Sequence, residues 1–338
     1  MDYKLIKYLY KYSLSDNEQY FKKICKYSNI QTGGKIIEFI SKDDDNIETT
    51  KKSLLEIINK TMDGLEKNKF NKKYVVILIG PPGAGKTLAR HVGIKKIINS
   101  EDNKYRQRTD YYFNTFIDIS VDDYVAGVIV KDEEILHEEL RHEAKTGEES
   151  LHKTITGKNM LEREVGRIML EAKKINQNGQ LYNDDFYNKT FEVYKKLRDK
   201  VDTLSFIMLY LSTYLGANIF FETLGDPWIL KEIVIAFCDA TQYIPVIVYP
   251  YIVSYDQVAD RIHKRGKTEY RYMSKTNVDN AIRIADHTYE LIKQQQIENT
   301  KLKNHKQILM IKYNAIVDLT PDEISNNNVD RLMMSQEN

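Results

Sequence analysis

Five short apolar runs alternate along the chain with longer helical patterns. The apolar runs cover residues 74–79, 113–119, 218–222, 245–252 and 308–313. The helical patterns cover residues 86–98, 133–215, 228–240, 255–265 and 278–302. Apolar strands that alternate with helices are typical of a parallel sheet covered by helices on both faces. We therefore predict an α/β fold with a doubly wound, mainly parallel sheet of five strands.

Other regions lie before, within and after this alternation. The chain begins with helical patterns that precede the first apolar run, including one helix predicted over residues 53–65. A block between the second and third strands is too long for one crossover helix and predicts a helical insertion. The last residues are polar and predict a loose tail. The chain thus divides into an amino-terminal helical region, a core in two parts, an insertion and a tail, at residues 1–73, 74–130 with 216–315, 131–215 and 316–338.

Composition narrows the class of protein. The 338 residues include 50 Lys and Arg against 49 Asp and Glu, and 42% are hydrophobic. This near-neutral balance excludes a protein whose whole surface attracts nucleic acid or acidic lipid, so nucleic acid is not an expected partner. Two cysteines, Cys25 and Cys238, exclude a disulfide scaffold and cannot form a zinc cluster alone. A reducing, cytoplasmic setting is the natural expectation.

The longest uncharged stretch, residues 203–221, has the length of a membrane span. It contains two serines, two threonines, a glycine and an asparagine, which a lipid-facing helix would bury at a cost. We interpret it as a buried helix that ends near Gly216, followed by a strand from Asn218. No membrane association is expected.

Two charged segments have a plain interpretation and a functional one. Residues 1–35 hold seven lysines and three acids with six interleaved tyrosines, and residues 131–150 hold eight acids and three bases. The first is an amphipathic helix, or a surface that binds nucleic acid or an inhibitory or assembly protein. The second is a solvated helical face, or a surface where a basic partner docks. His137 and His142 lie five residues apart, whereas a zinc-protease helix needs a spacing of four.

A glycine-rich loop follows the first predicted strand. Residues 80–87 match the phosphate-binding pattern G-x-x-x-x-G-K-[ST] in full. The glycines allow backbone N–H groups to turn toward a phosphate, Lys86 supplies charge to the β- and γ-phosphates, and the Thr87 hydroxyl can bind Mg²⁺. We therefore predict an ATP·Mg²⁺ site formed by Gly80, Pro81, Pro82, Gly83, Ala84, Gly85, Lys86, Thr87 and Leu88.

Carboxylates end the next two strands. Asp122 follows the second strand, where it can take a proton from an acceptor hydroxyl, and it is our preferred catalytic base. Asp123 has the spacing of a helix cap with Ser120, and Asp118 lies inside the strand and could face Mg²⁺ instead. Glu222 ends the third strand and is a candidate ligand for the metal or the acceptor.

Three arginines follow the fourth strand. Ser254 to Gln257 form a capping box that begins a helix carrying Arg261 and Arg265, and we expect Gly266 to end that helix. Arg271 lies in the polar loop beyond. These guanidinium groups are candidates to stabilise the charge of a transferring phosphate, although surface arginine is the commoner fate of such residues.

This order of motifs resembles the zeta-toxin family of P-loop small-molecule kinases over roughly residues 74–315. The matching positions are the glycine loop, Asp122-Asp123-Tyr124, Glu222-Thr223 and the arginines 261 or 265 and 271. The resemblance implies phosphoryl transfer from ATP·Mg²⁺ to a hydroxyl, with Asp122 as base and typically a UDP-activated amino sugar as acceptor. This chain departs from the family at two points: the glycine between Glu and Thr is absent, and 100 residues separate Asp122 from Glu222.

Two other functions remain open on sequence grounds. The loop sequence is also typical of AAA-type ring ATPases, but those need adjacent Asp-Glu at a strand end, which neither carboxylate strand provides. A nucleotide-binding structural or virion-associated protein would retain the loop without kinase activity. The kinase is the preferred hypothesis.

Overall fold

The computed structural model describes residues 53, 56–58, 60–61, 63–101, 108–131, 154–175, 182–301 and 307–315. The strands are β1 (Tyr74–Ile79), β2 (Phe116–Ser120), β3 (Ile129–Lys131), β4 (Thr154–Thr156), β5 (Asn218–Thr223), β6 (Ile244–Tyr251) and β7 (Leu309–Asn314). Five of them form a parallel sheet in the order β2-β5-β1-β6-β7, and β3 and β4 pair separately as an antiparallel ribbon. The predicted five-stranded parallel sheet is therefore confirmed.

Helices join these strands and cover the sheet. A π-helical segment, Leu230–Phe237, leads into the short helix Cys238–Thr241, and a 3-10 turn, Tyr255–Gln257, precedes the helix Ala259–Glu269. The helices are α1 (Lys86–Ser100), α2 (Asp110–Phe113), α3 (Val121–Gly127), α4 (Gly157–Ile175), α5 (Asp184–Leu215), α6 (Cys238–Thr241), α7 (Ala259–Glu269) and α8 (Lys275–Lys301). The described residues between 53 and 61 are helical, as predicted. No helix among the described segments combines the length and apolar character needed to cross a bilayer.

Both faces of the sheet are buried. Val75 and Ile77 of β1 belong to one apolar core together with residues of α5 and α8, whereas Val76 and Leu78 belong to a second core with α1. Alternate residues of a strand point to opposite faces, so the continuous apolar run of β1 fits a strand covered on both sides. Gly93 lets α1 approach closely, since a Cβ there would lie 2.5 Å from Val76.

The inserted block contributes two long helices. α5 has 32 residues, begins where the Asn183 side chain accepts a hydrogen bond from Phe186 N–H, and ends at Gly216 with φ 70°. The predicted helix end at Gly216 and strand start at Asn218 are thus confirmed. Leu204 and Met208, in the second half of α5, are buried in the same core as the sheet.

Three local predictions were wrong. The second strand begins at Phe116, not 113, because the preceding residues form α2. Gly266 does not end its helix: α7 continues to Glu269, and the glycine is needed because a Cβ would lie 2.7 Å from the ring of Tyr272. Ser254 makes no side-chain cap hydrogen bond, and the side chain of Gln257 instead accepts from Val253 N–H at 2.7 Å.

Several sequence predictions lie outside the described residues. They are the basic amino-terminal segment, the acidic segment after residue 131 with its two histidines, and the carboxyl-terminal tail.

Candidate functional site

The site lies at the carboxyl end of the sheet. β1 is central, with β5 and β2 on one side and β6 and β7 on the other. In open parallel sheets, ligands bind at the carboxyl ends of the strands where the connections leave to opposite sides. The loop after β1 occupies this position. Asp122 and Glu222, at the ends of β2 and β5, lie at the same edge.

The glycine loop, defined as residues 80–87, is anchored to its neighbours. Gly80 N–H donates to the carbonyl of Thr223 at 3.3 Å. Gly83 and Gly85 have φ values of 81° and 73°, a conformation that side chains other than glycine rarely adopt. Gly85 directly precedes α1, so Lys86 and Thr87 occupy the first turn of a 15-residue helix. The positive end of that helix points at the loop, which suits an anion.

α7 packs on the other side of the loop. A Cβ on Gly83 would lie 3.1 Å from Val258, and Val258 and Ile262 form a small apolar cluster with Ala84. Arg261 donates to the carbonyl of Gly83 at 3.2 Å and lies 3.5 Å from the carbonyl of Ala315. Arg261 therefore holds the glycine loop against the end of β7.

Two cations of α1 face two carboxylates of the sheet. Lys86 Nζ lies 3.3 Å from Glu222 Oε1, and Arg90 Nη2 lies 3.3 Å from Glu222 Oε2 and 2.7 Å from Asp118 Oδ2. Lys86 and Arg90 are four residues apart and so share one face of the helix. Burial raises the pKa of Asp118 to about 7, with repulsion from Glu222 adding to it, and Arg90 only partly offsets this.

Asp122 lies beside two cationic side chains, Arg265 and Arg271. It occupies the first turn of α3, where the Ser120 hydroxyl accepts from Asp123 N–H at 3.4 Å, as the predicted cap requires. Arg271 Nη2 lies 2.5 Å and Arg265 Nη2 3.6 Å from Asp122 Oδ2. Burial alone would raise the pKa of Asp122, but Arg271, Lys86, the Tyr194 hydroxyl and Arg265 together hold it well below its usual range. The group is therefore a carboxylate at neutral pH.

The three candidate arginines have separate positions. Arg265 and Arg271 converge on Asp122, and both also pair with Glu269. Arg261 contacts the backbone of the glycine loop instead. Only two of the three are thus placed beside the predicted base.

The sequence pattern did not identify two residues of this site, Arg90 and Tyr194. Arg90 could have been predicted from the sequence, because it follows Lys86 by one helical turn and so lies on the same face of the helix. Tyr194 could not: it comes from α5, 72 residues beyond Asp122, and its hydroxyl donates to Asp122 Oδ1 at 2.5 Å.

The donor set fits a triphosphate with a hard metal ion. The glycine cradle and Lys86 suit phosphate oxygens, and the exposed Thr87 offers a hydroxyl of the kind that Mg²⁺ accepts. Within the described part of the chain, no group of three or more His, Cys, Asp and Glu side chains forms a metal site by itself. A metal ion here would take oxygen ligands from the nucleotide as well as from Thr87 and Glu222.

Comparisons with known proteins give sequence similarity but no activity. No protein-family model matches the chain. An uncharacterized protein of Acanthamoeba polyphaga mimivirus is 26% identical over 326 residues, which span 93% of this chain and 82% of the viral protein. The sequence similarity thus extends over most of the chain.

Proposed function

We propose that the protein is an ATP-dependent kinase that transfers the γ-phosphate to a hydroxyl acceptor. One observation carries the proposal: a phosphate-binding type of loop with Lys86 lies at the same sheet edge as an ionised carboxylate, Asp122, which two arginines contact. Phosphoryl transfer needs little covalent chemistry from a protein and depends on positioning and charge. In this proposal the residues of the site supply both the positioning and the charge. The order of their motifs in the chain resembles that of the zeta-toxin kinases.

Each group has a task in this reaction. The glycine loop and the start of α1 bind the triphosphate, and Lys86 moves from Glu222 to the phosphate oxygens. Thr87 and Glu222 would hold a Mg²⁺ ion, which would supply charge that neutralises the phosphates. Asp122 orients the acceptor hydroxyl and accepts its proton as the new O–P bond forms. The bond between the γ-phosphorus and the β–γ bridging oxygen breaks in the same step, and ADP leaves. Arg265 and Arg271 stabilise the charge on the transferring group.

The acceptor enters between the core and the insertion in this proposal. Asp122 is contacted by Tyr194 of α5 and by arginines of α7 and its following loop, so these elements surround the group that must receive the hydroxyl. A UDP-activated amino sugar is the first acceptor to test. The cytoplasm is the proposed setting.

ATP hydrolysis without an acceptor is the second candidate. Its supporting observation is Glu222, which lies at a strand end beside Lys86 and could orient a water molecule toward the phosphate. Hydrolysis of this kind would fit a P-loop ATPase motor that lacks the adjacent Asp-Glu of the AAA type.

The test measures ADP release from Mg²⁺–ATP with and without UDP-sugars, nucleosides and 5′-hydroxyl oligonucleotides. The proteins are the parent, Lys86→Ala, Asp122→Asn and the matched control Asp123→Asn, whose exposed side chain lies in the same turn. Acceptor-dependent release that only the first two variants lose supports the kinase. Acceptor-independent release that survives Asp122→Asn contradicts it.

A further inference from the structure

Tyr194 links the inserted helices to the candidate base. Its side chain is 9% exposed, and its hydroxyl donates to Asp122 Oδ1 at 2.5 Å. Its ring also lies under the Arg271 guanidinium, with 5.1 Å between Cζ and the ring centroid. One side chain of α5 therefore contacts both members of the Asp122–Arg271 pair.

The two oxygens of Asp122 have different partners. Oδ1 accepts from a neutral hydroxyl, whereas Oδ2 is paired with Arg271 and lies near Arg265. An anionic phosphate competes strongly for guanidinium groups and weakly for a neutral hydroxyl. When phosphate draws the arginines toward itself, Oδ2 becomes free to accept a proton and Oδ1 stays bound to Tyr194.

Other charges near the pair do not replace this contact. Lys86 and Arg198 act on Asp122 and Tyr194 through their charge, and Glu269 pairs with the arginines. Among the described residues, Tyr194 provides the hydrogen bond to Oδ1. Without it, the carboxylate could rotate about its Cβ–Cγ bond and misplace Oδ2.

We propose that Tyr194 is a positioning residue, which fixes the Asp122 carboxylate so that Oδ2 faces the acceptor and which retains Arg271 beside the site through its ring. This inference rests on the proposed kinase function. It makes the insertion a part of the catalytic apparatus.

The first arm of the test reads the contact without any activity. Protein labelled with ¹³C at aspartate carboxyl groups gives an Asp122 signal, assigned by its loss in Asp122→Asn. Tyr194→Phe should shift that signal at pH 7, and Tyr210→Phe, the same change further along α5, should not. A single 3-fluorotyrosine at position 194 is isosteric with tyrosine and a stronger donor, so it should shift the signal in the opposite direction. A signal that neither change moves overturns the proposal.

The second arm reads catalysis with the best acceptor. Tyr194→Phe should lower kcat by about 10- to 100-fold and leave the KM for ATP within about twofold, because it affects the base and not the glycine loop. Equal kcat in Tyr194→Phe and the parent contradicts a positioning role. A fall in kcat/KM that comes only from a raised KM for ATP contradicts it as well. A parent that phosphorylates no acceptor overturns the proposed function, and the carboxyl signal then decides the Tyr194 contact by itself.

Discussion

The ammonium group of Lys86 lies 3.3 Å from the carboxylate of Glu222. The charge that the glycine loop offers to a phosphate is therefore already paired. A nucleotide must compete with Glu222 for Lys86, unless a metal ion draws the carboxylate away at the same time. Nucleotide and metal should consequently support each other's binding.

Glu222→Gln tests this competition. Without Mg²⁺, the variant should bind ATP more tightly, because the ion pair that holds Lys86 is lost, and its two side chains are only 12% and 14% exposed. With Mg²⁺, its turnover should fall, because a ligand of the metal is lost. Calorimetric ATP titration without Mg²⁺ measures the first effect, and ADP release from Mg²⁺–ATP measures the second. Glu232→Gln, which changes an exposed glutamate, is the control for both. Weaker ATP binding without Mg²⁺ would show that Lys86 is not restrained by Glu222.

Arg90→Met tests the charge network beneath the loop. Arg90 is 15% exposed and pairs with both Asp118 and Glu222, so its removal leaves two facing carboxylates. We expect the free energy of unfolding to fall by about 1–3 kcal/mol at pH 8. Arg108→Met removes an exposed pair with Asp110 and should cost at most about 0.5 kcal/mol. Urea unfolding measures both variants.

The loss in Arg90→Met should depend on pH. The pKa of Asp118 is about 7 in the folded protein, above the unfolded value of about 3.9. A carboxyl group whose pKa is raised in the folded state contributes stability that is fully present below pH 4. That contribution is lost as the pH rises through 7. At pH 5 the folded protein holds Asp118 largely protonated, so losing Arg90 should cost less than at pH 8. Equal losses at both pH values would contradict the raised pKa.

Gly83→Ala should damage the loop itself. Alanine at φ 81° is strained, and its Cβ would lie 3.1 Å from Val258. We expect a loss of about 1–2 kcal/mol in stability together with weaker ATP binding. Gly166→Ala in α4 has open space around it and should stabilise the protein by about 0.5–1 kcal/mol. Thermal unfolding and ATP titration compare them; identical behaviour of the two variants would contradict the strained loop.

The arginines should separate by kinetic effect. Arg261→Ala removes a hydrogen bond to Gly83 and should raise the KM for ATP. Arg271→Met removes a partner of Asp122 and should lower kcat by about 10²-fold with little change in the KM for ATP. Steady-state kinetics over a range of ATP concentrations distinguishes these effects. A rise in KM for both variants would mean that Arg271 binds the nucleotide in the ground state.

The local sequence pattern correctly predicted the secondary structure on both sides of the glycine loop. The strand before the glycine loop and the helix after it are adjacent in the chain, so one apolar run and one motif were sufficient. The position of Arg90 could have been predicted in the same way, because it depends only on the spacing of residues along one helix. That of Tyr194 could not, because a contact across 72 residues depends on how α5 packs. The prediction that Gly266 ends its helix was wrong for a physical reason. A glycine can be required where a neighbouring side chain packs closely, as Tyr272 does here, and not only where a helix ends.

The fate of the γ-phosphate tests the central claim most directly. ATP labelled at the γ-phosphate is incubated with Mg²⁺, the parent protein and each acceptor, and the label is followed to its product. We predict that label appears in a phosphorylated acceptor and that Asp122→Asn abolishes this transfer. Label that passes only to inorganic phosphate, at a rate that no acceptor changes, would contradict the kinase and leave an ATPase.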